Sequence, residues 1–123
     1  MRTKLYFDGG CRPNPGTMEI AVVVGGKAHV LPDMGTGSSM DAEWLALIHA
    51  LRLAQDLGLA DFVLLGDSAA VIGQANGSLK CRGAGLRHMA EFRALAGDRP
   101  PAIRYIKRSQ NLAGIALARL HGR

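Results

Sequence analysis

The chain has 123 residues, 48% of them hydrophobic, and its 15 Lys and Arg against 10 Asp and Glu give a net charge of +5. That length suits a single domain over residues 1–123 with a core of its own, and the apolar share excludes a disordered tail. Cys11 and Cys81 form no spaced pair, which argues against a zinc site and fits free thiols in a reducing compartment.

The first residues, MRTKLYFDGG, contain no apolar signal region, and no uninterrupted apolar run approaches membrane-spanning length. A soluble, cytoplasmic monomer with no membrane partner is expected. KLYFDG and MEIAVVVGG read as two strands rich in β-branched and aromatic residues, joined by a Pro/Gly turn, with Asp8 ending the first. KAHVLPDM alternates well enough for a third strand, ended by Pro32, and the three make an antiparallel meander. SSMDAEWLALIHALRLAQDLG then reads as a long helix, with Ser38 or Ser39 at its N-cap and Gly58 at its end.

DFVLLGDS is continuously apolar, as in strands buried on both faces of a sheet. SAAVIGQANG follows as a helix that stops at Asn76-Gly77, and GLRHMAEFRALAG is another. AIRYIKR is the last strand and NLAGIALARL the last helix, in which Leu112, Ile115, Ala116 and Leu120 trace an apolar stripe. Helices between strands imply crossover connections. The fold class is therefore α/β: a mixed five-stranded sheet, an antiparallel meander plus parallel strands, flanked by helices.

Charge is unevenly distributed. After Asp98 there is no acidic residue, while Arg99, Arg104, Lys107, Arg108, Arg119 and Arg123 follow. The last quarter is thus a basic surface, which favours a polyanionic partner such as nucleic acid.

Acids stand at three informative places. Asp8 and Asp67 each end a predicted strand, and ligands in such sheets collect at the carboxyl ends of parallel strands. Glu43 lies in the first turns of the long helix among apolar positions, where an acid needs solvent or a cation. Taken singly, Asp8 suits a turn, Glu43 a solvated helix face and Asp67 a helix cap. Brought together, the three would repel one another and require a hard divalent ion such as Mg²⁺. Two such ions can align a water and a leaving oxygen for phosphodiester cleavage. His49 reads as structural, His88 and His121 as surface residues, and Trp44 as core.

The segments YFDGGCRPNPG, SSMDAEWLALIHAL, LLGDSAAVIGQANG and IKRSQN, in this order, resemble the type 1 ribonuclease H family in its compact form without a basic protrusion. The resemblance covers almost the whole chain and places Asp8, Glu43 and Asp67 on three of the family's four acidic metal ligands. It implies endonucleolytic cleavage of the RNA strand of an RNA–DNA hybrid with Mg²⁺ or Mn²⁺. It also implies substrate contacts at Gly9, Gly10, Cys11, Asn14, Ser39, Arg108 and Asn111, with groups after the first acid reading RNA 2′-hydroxyls.

Two departures stand out. Ser38-Ser39-Met40 replaces the family's usual Thr-Asn-Asn run. The fourth acid would fall at Ile115 counted from Asn111, or at Gly114 aligned on the neighbouring alanine, and that segment has no carboxylate. The alternative function is a ribonuclease H-like module that binds nucleic acid and cleaves it weakly or not at all.

Overall fold

In the computed structural model, which describes residues 2–122, the strand-forming runs assemble into one six-stranded sheet. Arg123, counted above with the basic residues, lies outside the described residues. In chain order the elements are β1 (Thr3–Arg12), β2 (Gly16–Val24), β3 (Lys27–Leu31), the two-residue β4 (Thr36–Gly37), α1 (Ser39–Asp56) and β5 (Phe62–Gly66). They continue with α2 (Ala69–Ala75), α3 (Gly85–Ala96), β6 (Ala102–Tyr105), a 3-10 turn (Arg108–Gln110) and α4 (Leu112–Leu120).

The strand order is β3-β2-β1-β5-β6, with β4 attached to β2. The meander β1-β2-β3 is antiparallel, while β5 pairs parallel to β1 and β6 parallel to β5. The five long strands and their directions are those expected from the sequence. β4 is too short to carry a periodic signal.

Asp8 does not end its strand. The two glycines after it stay extended because β2 pairs with β1 as far as Arg12↔Thr17. The parallel pairing with β5, however, stops at Tyr6↔Leu65. From residue 7 onward, β1 has a neighbour on one side alone.

One face of the sheet carries Leu5, Phe7, Ile20, Val22 and Leu64, which pack against Trp44, Leu47, Ile48 and Leu51 of α1. The other face carries Ala21 and Val23, covered by Ala113 and Leu117 of α4. This corrects the stripe expected on α4: Leu112, Ile115 and Leu120 are exposed, Ile115 by 40%. The helix is apolar nearly all round, so periodicity alone could not choose its buried side. Its cap does so. Asn111 Nδ2 donates to the Phe7 carbonyl at 3.0 Å while Oδ1 accepts from Ala113 N–H at 3.1 Å, tying the start of α4 to β1.

At α1 the N-cap is Ser38: its Oγ accepts from Asp41 N–H at 3.1 Å, and Asp41 Oδ2 accepts from Ser38 N–H at 3.0 Å. Asp41 Oδ1 also lies 2.8 Å from His88 Nε2, and the His88 ring stacks on Trp44. His88 is therefore part of the α1–α3 packing rather than a surface residue, a placement that depends on the contact between two helices and not on its neighbours in sequence. Asp67 does not cap α2; Ser68 does, its Oγ accepting from Val71 N–H at 3.4 Å.

Candidate active site

The missing neighbour of β1 creates an opening in the sheet. Asp8 sits beyond the last parallel pair, and Asp67 follows the last residue of β5, so their carboxylates flank the same gap. Glu43 enters it from α1. Gly9 makes this approach possible: a Cβ there would overlap the Ala42 carbonyl and lie 2.6 Å from Glu43 N. With the helix this close, Gly9 N–H donates to Glu43 Oε1 at 2.5 Å. Carboxylate oxygens of Asp8, Glu43 and Asp67 then lie within 4.8 Å of one another.

Such crowding has an electrostatic consequence. Burial first, and then the charge of Asp67, pushes the Asp8 carboxyl up to about 7. Burial, followed by the charge of Asp8, pushes Glu43 up to about 9, against the opposing pull of the Gly9 N–H bond. Two carboxyls that disfavour their own ionisation, with Asp67 beside them, form a donor set of hard oxygens, which fits a divalent cation. Arg108 Nε lies 3.9 Å from Asp67 Oδ2, but its side chain is 93% exposed, so it screens the trio weakly.

The trio opens into a cleft of about 500 Å³, lined also by Gly9, Gly10, Arg12, Glu19, Ser39, Arg108, Gly114 and Ile115. Of the substrate contacts expected from the sequence, Gly9, Gly10, Ser39 and Arg108 border it. Asn14 is exposed beside it, and its Oδ1 accepts from Ser39 N–H at 3.0 Å, joining the β1–β2 turn to the start of α1.

Two residues expected to touch substrate fall elsewhere. Cys11 is buried on the α1 side, and its thiol is 3.2 Å from both the Pro13 and Gly37 carbonyls. Asn111 is completely buried, with its amide committed to capping α4 and to Phe7. Neither side chain faces the cleft.

Arg12 and Glu19 line the cleft, although neither is among the site residues expected from the sequence. A signal existed for Arg12, which is two positions from Gly10 and four from Asp8 and so shares their face of the strand. Glu19 becomes legible only with the β1–β2 register, which sets it opposite Gly10. His121, read as surface, has its Nε2 2.5 Å from Glu19 Oε1.

A mixed sheet in this order, with an acid trio at the carboxyl ends of its parallel pair, defines a ribonuclease H-like chain. The family model described as "Reverse transcriptase-like" matches residues 7–121. A curated relative, "Ribonuclease HI" from Halobacterium salinarum, is 33% identical over 124 aligned positions, covering 95% of this chain and 62% of the relative. This chain thus spans less than two thirds of that protein's length. The crystal structure of RNase H1 from the same organism superposes with a TM-score of 0.80 at 32% identity, covering 95% of this chain and 94% of that one. LC11-RNase H1, isolated from compost and solved in complex with an RNA/DNA hybrid, gives 0.83 at 27% identity over 94% of this chain and 93% of its own. The chain belongs to the type 1 ribonuclease H family.

Proposed function

We propose that this chain is an endoribonuclease that cleaves the RNA strand of RNA–DNA hybrids by divalent-metal-dependent hydrolysis, with Asp8, Glu43 and Asp67 as its metal ligands. The observation that carries this reading is the convergence of three carboxylates within 4.8 Å in an open cleft. A fold has no structural use for such repulsion. A module that merely bound nucleic acid would be better served by neutral or basic residues there, which favours cleavage over binding alone. The crystallised relative bound to an RNA/DNA hybrid supports the choice of substrate.

Mg²⁺ or Mn²⁺ held by the trio would supply Lewis-acid charge at the scissile phosphate and a more acidic attacking water. The chain does the rest. Asp8, which faces α4 as well as the gap, would hold the metal together with Glu43 and Asp67. Glu43 is oriented by the Gly9 N–H bond. Gly10, with no side chain on the cleft face, lets the nucleic-acid backbone approach closely, where main-chain groups can read a 2′-hydroxyl. Arg12 and Arg108 supply positive charge at the cleft for phosphates. The protein acts as a cytoplasmic monomer in this reading.

The test is a comparison of labelled RNA–DNA hybrid, double-stranded RNA and double-stranded DNA, each with Mg²⁺, Mn²⁺ or EDTA. Cleavage confined to the RNA strand of the hybrid and abolished by EDTA is expected. Equal cleavage of double-stranded DNA, or cleavage that persists in EDTA, would overturn the proposal.

A further inference from the structure

Where the family pattern has its fourth acid, this chain has Gly114 or Ile115, and α4 contains no carboxylate. The cleft nevertheless contains a fourth carboxylate, on β2. Glu19 pairs with Gly10 in the β1–β2 ladder and Ala21 pairs with Asp8, so Glu19 and Asp8 project from the same face of the sheet, one diagonal step apart. Gly10 has no side chain to separate them; a Cβ there would lie 3.5 Å from Glu19 Cγ.

The surroundings of Glu19 are unusual for an acid. Its side chain is 8% exposed, and α4 brings His121 Nε2 to 2.5 Å from Oε1. Oε2 has no hydrogen-bond partner among the described residues. Since no fully buried side-chain oxygen among them lacks a partner, Oε2 retains access to solvent, and Glu19 lines the cleft. Ala21, Leu117 and Ala113 make this face apolar, and an apolar residue in place of Glu19 would anchor the end of α4 there at least as well. A carboxylate clamped on one oxygen and open on the other suits a cation.

We infer that Glu19 is the fourth carboxylate of the metal site, supplied from β2 in place of the acid missing from α4, with His121 as its positioning residue. Glu19 is outside the trio whose oxygens approach within 4.8 Å. It would therefore act on a metal held by the trio from outside their contact distance, through retained water. The inference rests on the metal-dependent reading proposed above.

The test is Mn²⁺ binding to the full chain without nucleic acid, followed by electron paramagnetic resonance and calorimetry, for the parent, Glu19→Gln, His121→Ala and Asp8→Asn. Gln keeps an oxygen for His121, so metal-free melting should be unchanged. The weaker Mn²⁺ site should nonetheless lose about 10–100-fold in affinity, as when groups around bound metals are removed. His121→Ala should produce a smaller loss in the same direction. Asp8→Asn should lose both ions. Parent-like Mn²⁺ binding in Glu19→Gln, with binding lost in Asp8→Asn, would overturn the role of Glu19 and spare the trio. Parent-like binding in Asp8→Asn would overturn the metal site itself. Should Glu19→Gln fail to fold, a folded His121→Ala with unchanged Mn²⁺ affinity would likewise overturn the inference.

Discussion

Gly114 faces Asp8 across the cleft: a Cβ at Gly114 would lie 3.4 Å from Asp8 Oδ2. The first turn of α4 therefore points at the metal site, as the family pattern requires, but contributes no acid. Its neighbour Ile115 is 40% exposed and lines the same cleft, so an aspartate there would not be buried. Ile115→Asp should raise hybrid cleavage at low Mg²⁺ and lessen the effect of Glu19→Gln. Gly114→Asp would set a new charge directly against Asp8 and should lower the metal-free melting temperature. Measured melting curves and Mg²⁺ titrations of both variants check this, and unchanged Mg²⁺ dependence in Ile115→Asp would contradict it.

Removing one charge from the trio should separate stability from activity. Asp67→Asn should cleave hybrid at least about 100-fold more slowly while melting no lower than the parent in EDTA, because mutual repulsion is relieved. A variant that melts far lower would show that Asp67 holds the fold rather than the ion.

The raised carboxyls predict a pH dependence of stability. In the unfolded chain Asp8 and Glu43 return to values near about 3.9 and 4.3. In the folded chain they lie at about 7 and about 9, so the folded state binds more protons across that interval. Stability in EDTA should thus fall as pH rises from about 4 to about 9. Asp41, held low first by its Ser38 bond, titrates below this window. Comparing the parent with Glu43→Gln isolates the effect: their melting temperatures should diverge as pH rises, with the parent falling faster. Saturating Mg²⁺ should narrow the difference, and parallel curves would contradict the assignment.

Gly9 links fold to chemistry. Because a Cβ there would overlap the Ala42 carbonyl, Gly9→Ala should push α1 away and draw Glu43 from Asp8. A stability loss of about 1–3 kcal/mol is expected from overpacking, together with weaker Mg²⁺ binding. Denaturant melts and calorimetry on the same sample test both parts. A variant that loses stability but binds Mg²⁺ like the parent would uncouple them.

Much of this is legible in the sequence, and what is not has physical reasons. The five long strands and the helices follow from period, caps and turns: Ser38 does cap α1, and Gly58, with a φ of 67°, ends it in the left-handed region. The acid trio can be named because Asp8 and Asp67 stand where apolar runs give way to Gly or Ser, and Glu43 lies in the first turns of a capped helix. Glu19 cannot, since its place in the cleft depends on a cross-strand register that local sequence does not carry. Asn111 departs from its expected role for a related reason. It opens α4 in the family-like segment, but its amide serves the cap and β1. The buried side of α4 is hidden because the helix is apolar nearly all round.

Cleft charge should govern substrate affinity. Arg12→Ala and Arg108→Ala should each weaken hybrid binding and make the salt slope shallower by about one for every phosphate no longer neutralised. Arg99, which borders a different depression beside Asp61 and Pro100, serves as the control. Equal effects at Arg99 and Arg108 would mean that net charge, not the cleft, sets affinity.

The most direct measurement is single-turnover cleavage of an RNA–DNA hybrid labelled on the RNA strand, in Mg²⁺, by the parent and by Asp8→Asn with matched melting curves. Cleavage by the parent and its loss in a fully folded Asp8→Asn is the predicted result. Undiminished cleavage by the folded variant would contradict a carboxylate metal site as the source of the activity.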